Sequence, residues 1–118
     1  MRTIREEEKN IIEFLIRIKG FDLEDYPISE KVYEYEGGVM GSISMQESDG
    51  SNYSHDLIQA NYLDTDSIPV VITLTIDKEG KLLDLDFWKE DFSKLLQYPT
   101  PGKLRINLIG NGKFEARV

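Results

Sequence analysis

The chain has no cysteine. Disulfides, zinc thiolates and a cysteine nucleophile are therefore excluded, and the absence is compatible with a reducing cytoplasm. Histidine is nearly absent as well. The lone His55 sits in Ser54-His55-Asp56. These are the residue types of a triad, but neighbouring side chains diverge and cannot form one. No apolar run approaches the ~18 residues of a membrane helix. MRTIREEEKN follows its early arginine with acids, not with an apolar segment, and does not read as a signal peptide. Positive charge is also short: 14 Lys and Arg stand against 22 Asp and Glu, a net charge of −8. A phosphate backbone repels such a surface, so nucleic acid is not an expected partner.

What is present suits one soluble domain spanning 1–118. The length matches a single core. The hydrophobic share of 40% and charged share of 31% are those of a globular chain rather than a disordered one.

Residues 3–19 have the pattern of a helix. Thr3 is placed as N-cap with Glu6 as its capping-box partner, acids fill the first turn, and Gly20 ends the last. Ile4, Ile11, Leu15 and Ile18 form a stripe that Ile12, Phe14 and Ile16 widen to roughly 200°. Such a helix needs a concave sheet or a cover on a second side. Residues 21–30 read as a connection and 31–46 as two strands, with Val32 facing away from Tyr33 and Tyr35. Gly37, Gly38 and Gly41 lack the strand–loop–helix order of a phosphate loop, so turns and close backbone packing explain them better. Residues 47–54 read as a loop. Residues 55–62 fit strand or helix; the neighbouring strands favour strand.

The densest stretch is 68–92, IPVVITLTIDKEGKLLDLDFWKEDF. Ile68, Val70, Ile72, Leu74 and Ile76 alternate onto one face; Leu83, Leu85 and Phe87 do so on the return strand. Matching the apolar faces sets Ile76 opposite Leu83, Leu74 opposite Leu85 and Ile72 opposite Phe87. That register requires a two- or four-residue connection at Glu79-Gly80. A three-residue loop with a bulge would bring Leu74 opposite Asp84. Beyond it, Ser93 is placed to cap a short helix, KLLQ, closed by Pro99. Residues 103–110 then read as a strand, Gly110-Asn111-Gly112 as a hairpin turn and 113–118 as a last strand.

Asp84, Asp86 and Trp88 share the outer face of the return strand, with Glu90 and Asp91 following. Carboxylates at i, i+2 can hold Mg²⁺ or Ca²⁺. DKEGKLLDLDFW lacks the glycine and glutamate positions of a calcium loop, and like charges on one face are normally solvated. No metal and no cofactor is expected. No spacing singles out a facing carboxylate pair of the glycosidase type. Trp88 is either a satellite of the core or an anchor in an interaction patch, and Tyr33 and Tyr35 pose the same alternative. Asp84, Asp86, Trp88 and Asp91 are the candidate partner surface.

LDLDFWKEDFSKLLQYP, preceded by IPVVITLTIDKEGKL, is similar to the pattern of a family of small bacterial proteins catalogued as a domain of unknown function. The opening MRTIREEEKNIIEFLI and the segment GGVMGSIS are similar to it too. The resemblance runs in order over almost the whole chain. One departure is Lys94, where the pattern has proline after the serine. The resemblance implies one domain in a bacterial cytosol and transfers no catalytic residue.

The expected fold is α+β: an N-terminal helix on a mainly antiparallel, curved sheet of five to six strands, with one short second helix. By analogy of fold and composition, the expected role is a non-enzymatic acidic interaction protein of the bacterial cytoplasm. It would be of inhibitor, immunity or adaptor type and steered by charge to a basic protein partner. The alternative is a small-ligand-binding domain or enzyme with a pocket between the first helix and the sheet. A third reading is a homodimer through the wide helix or a sheet edge.

Overall fold

Arg2 and Thr3 form a strand, β1 (Arg2–Thr3), and do not start the helix. They pair antiparallel with β2 (Lys31–Glu34). Helix α1 (Glu6–Ile18) therefore begins later, with Arg5 as N-cap. The expected Thr3–Glu6 capping box is replaced: the Arg5 N–H donates to Glu8 Oε1 at 2.8 Å. Pairing with β2 has taken Thr3 away from the helix end. This computed structural model describes residues 1–35, 40–47 and 49–106.

The remaining strands are β3 (Ile43–Ser44), β4 (Tyr53–Leu63), β5 (Pro69–Asp77), β6 (Leu82–Lys89) and β7 (Arg105–Ile106). They form one antiparallel sheet in the order β1-β2-β3-β6-β5-β4-β7. The sheet exceeds the expected five to six strands; β1, which the sequence pattern does not show, has two residues, too short for a period. The ambiguous stretch is the long strand β4. Register shifts between Tyr53 and His55 and between Asp56 and Ile58 break its alternation, so that Leu57 and Ile58 are both buried.

In the central hairpin Leu74 lies opposite Leu85 and Ile72 opposite Phe87, as face matching requires. The turn differs. Asp77 N–H donates to the Lys81 carbonyl at 2.8 Å, leaving the three-residue connection 78–80 with Gly80 at φ 86°. A bulge between Leu74 and Ile76 absorbs the odd residue, so Ile76 meets Leu82 rather than Leu83. Leu82 joins the main core; Leu83 is buried outside that cluster. The Asp84 N–H at the bulge donates to Thr75 Oγ1 at 2.9 Å.

Ile11, Ile12, Leu15 and Ile16 pack without exposed surface against the sheet face of Ile58, Ala60, Val70, Ile72, Leu85 and Phe87. The second cover that the broad arc demands comes from the chain itself, through Leu23, Tyr26, Leu95 and Tyr98. Ile18, in the expected stripe, is half exposed. Gly41 bears out close packing: a Cβ there would sit 3.0 Å from Leu95 Cδ2, and its φ is 94°.

The expected helix after Ser93 does not form. Among the described residues only single 3-10 turns, Leu23–Asp25 and Pro101–Lys103, accompany α1. The 94–97 backbone is engaged elsewhere, as described below. Of the later expectations, β7 is found at the start of 103–110. The rest of that strand, the Gly110-Asn111-Gly112 turn, the strand 113–118 and the Gly37-Gly38 turn lie outside the described residues. No helix among the described residues is long and apolar enough to cross a membrane.

Candidate functional site on the outer sheet face

Helix α1 covers one face of the sheet. Strand alternation sends Gln59, Asn61 and Leu63 from β4, Val71, Thr73 and Thr75 from β5, and Asp84, Asp86 and Trp88 from β6 to the other. Trp88 is 52% exposed there, and Phe92 beside it 60%. Their ring centroids are 5.2 Å apart, within the range of favourable aromatic pairing. Phe92 holds φ 62°, a left-handed conformation that costs a residue with Cβ about 1 kcal/mol or more.

A buried ion pair holds that corner. Lys89 follows Leu85 and Phe87 onto the core face and has no exposed surface. Its Nζ donates to Asp64 Oδ2 at 2.9 Å, to Asp66 Oδ2 at 2.7 Å and to the Lys94 carbonyl at 2.9 Å. Asp64 accepts in addition from the N–H groups of Thr65, Leu96 and Gln97. Burial would raise the Asp64 carboxyl, but its hydrogen bonds from Leu96, Lys89 and Thr65 outweigh this and hold it below the usual carboxylate range. Burial likewise opposes the Lys89 charge, and Asp66 and Asp64 overcome it, raising the ammonium above the ordinary lysine value. With all three ammonium hydrogens donated, Lys89 is a staple and not a free nucleophile. The same bonds keep residues 94–97 out of a helix. Sequence reasoning missed this pair, although the parity of Lys89 with Leu85 and Phe87 placed it on the core face. The missing information was its partner in the β4–β5 turn.

A second network anchors the helix start. Arg2 donates to both Glu8 carboxylate oxygens, at 3.0 and 2.7 Å, and Tyr98 adds its hydroxyl at 3.2 Å. Glu8 is fully buried.

Of the candidate surface, Asp84, Asp86 and Trp88 are brought together. Asp86 is exposed and accepts the Ser42 hydroxyl at 2.7 Å. Asp84 is half-buried, and its Oδ1 is shielded from solvent with no hydrogen-bond partner among the described residues. Burial pushes its carboxyl up and nearby Asp86 adds to this; the Tyr35 and Ser44 hydroxyls oppose without reversing it. Asp91 stands apart: its Oδ1 accepts from the Ser93 N–H and hydroxyl, capping the turn. His55 meets Ser54 through Nδ1 at 2.9 Å, while Asp56 accepts from the Tyr53 hydroxyl, so no triad arises.

Two wide-open clefts lie on this face. One, of about 540 Å³, is lined by Tyr53, Asp56, Gln59, Asp84, Asp86 and Trp88. The other, of about 910 Å³, is lined by Leu63, Pro69, Val71, Trp88, Glu90 and Arg105 among others. Val71 and Trp88 line both. Neither lies between helix and sheet, where Ile11, Ile12, Leu15 and Ile16 pack without exposed surface. Among the described residues no three His, Asp or Glu side chains are arranged to hold a metal ion.

These features define a sheet-dominated α+β protein with one helix-covered face and one open face of aromatic and acidic side chains. The chain belongs to the family described as domain of unknown function DUF6984, whose pattern matches residues 1–99. No curated protein and no solved structure matches it. The match takes in all of β1 to β6, Lys89 and its acidic partners included, and ends before β7.

Proposed function

We propose that the protein is a non-enzymatic interaction module of the bacterial cytoplasm, of inhibitor, immunity or adaptor type, and that it docks a basic protein partner on its outer sheet face. One observation carries this reading: an exposed Trp88–Phe92 pair is displayed by a left-handed backbone on a face that also bears Asp86 and Glu90. Exposed aromatics surrounded by charge are the usual anchors of binding surfaces, and strain retained at an exposed residue is a hint of use. The overall charge of −8 would steer a cationic partner. The test is affinity capture from the source cell with the native protein and with Trp88→Ala plus Asp86→Lys. A basic protein retained at low salt by the native form alone is the expected result. A retained set unchanged by the substitutions counts against the reading.

A second reading, small-ligand binding, is favoured by the solvent-shielded Asp84 carboxyl beside Tyr35, since a desolvated carboxylate in a cleft is a recurrent feature of ligand sites. It moves the site from the helix–sheet interface to the outer face. Amide NMR shifts confined to β4–β6 on screening small cationic and polyhydroxyl compounds would support it; an unperturbed spectrum would remove it.

A further inference from the structure

Asp86, Trp88 and Glu90 stand at i, i+2 and i+4 along the chain. Asp86 and Trp88 wall one cleft, and Trp88 and Glu90 the other. The pairing of β6 continues to Glu90, whose N–H donates to the Pro69 carbonyl at 2.9 Å. Extended backbone over β6 thus sets Asp86 and Trp88 at an interval of roughly 6.5–7 Å, and Glu90 follows as the first residue of the turn that the Phe92 N–H closes on the Lys89 carbonyl. An indole flanked on both sides by carboxylates matches one kind of occupant: a second extended chain with cations at alternate positions. We infer that the partner presents an extended segment of alternating arginines, the central guanidinium over Trp88 and the outer two beside Asp86 and Glu90. This rests on the reading of the outer face as a docking surface for a basic protein.

Arginine fits better than lysine because its flat guanidinium stacks on an indole face and pairs with carboxylates through two parallel N–H groups. Spacing matters as much as charge. In an extended segment only every second side chain points to the same side, so adjacent arginines would put half their cations into solvent. A second copy of this chain is a poor occupant, since two faces of like charge would meet.

Trp88 is the sole tryptophan, so its emission reports the site directly. The probes are Ac-Arg-Ala-Arg-Ala-Arg-NH2 and its isomer Ac-Ala-Arg-Arg-Arg-Ala-NH2, titrated at low salt with amide NMR in parallel. The alternating peptide is expected to bind tighter by about fivefold, the ratio that two exposed arginine–carboxylate pairs give. The Asp86→Asn, Glu90→Gln double variant, altered only at exposed positions, should erase that ratio. Equal affinity of the two peptides on the native face overturns the alternating-arginine inference and leaves a basic partner standing. Silence of both peptides, or shifts on another face, overturns both.

Discussion

Lys89 Nζ lies 2.9 Å from Asp64 Oδ2, and neither side chain has exposed surface. The contact ties the end of β6 to the β4–β5 turn, and through Lys94, Leu96 and Gln97 it ties both to the strap that crosses back towards Tyr98. A buried ion pair is weak evidence for net stability, but removing one partner leaves an uncompensated charge. Lys89→Met is therefore expected to lower the urea midpoint more than Lys103→Met, at an exposed site. It should also shift Trp88 emission, because Phe92 loses its anchored turn. An unchanged spectrum would separate the staple from the aromatic corner.

The pH dependence follows from the same groups. In Glu8, burial opposes the charge, and bonds from Arg2, the Arg5 N–H and Tyr98 outweigh it and lower its carboxyl, as happens with Asp64. A lowered carboxyl contributes stability above its unfolded value and loses it as pH falls through the folded one. Lys89, raised, contributes below the ordinary lysine range and loses its share as pH rises through the folded value. Denaturant unfolding should thus give a plateau around neutrality and a fall below about pH 4. Glu8→Gln should cost about 3 kcal/mol at neutral pH and shallow the acid slope.

Asp84 has the opposite sign. Its raised carboxyl favours the fold at acid pH and burdens it once ionised. Asp84→Asn, which removes the half-buried charge and keeps the shape, should stabilise the protein at pH 7. The gain should vanish on acidification below the ordinary aspartate range. A destabilised variant at pH 7 would show that the charge itself is needed.

Phe92→Gly relieves a left-handed φ but frees the unfolded chain, two effects of about 1 kcal/mol each that oppose one another. Calorimetry should find the melting temperature little changed, while Trp88 emission alters and capture of the partner falls. Equal loss of stability and binding would assign Phe92 to the core instead.

Gly41→Ala introduces a Cβ 3.0 Å from Leu95 Cδ2 at φ 94°. A loss of roughly 1–3 kcal/mol is expected, against near neutrality for Gly102→Ala, where no atom lies within 4 Å. Urea midpoints of the two variants side by side decide it.

The sequence by itself determined the elements that repeat. Period two in residues 68–76 and 83–87 places Leu74 against Leu85 and Ile72 against Phe87. Period 3.6 in 6–18 places Ile11, Ile12, Leu15 and Ile16 inside. The same alternation sends Asp84, Asp86 and Trp88 outward together. These outcomes depend on neighbours a few residues apart, so local pattern suffices. Tertiary structure decided what depends on distant partners. Thr3 forsakes the helix for β2, and a three-residue turn is rescued by a bulge. Residues 94–97 stay out of a helix because Lys89 and, from a distant turn, Asp64 hold their backbone groups. A buried lysine next to the exposed tryptophan is where the two kinds of information meet. Alternation put Lys89 on the core face, and only the returning carboxylates of Asp64 and Asp66 make that burial tolerable.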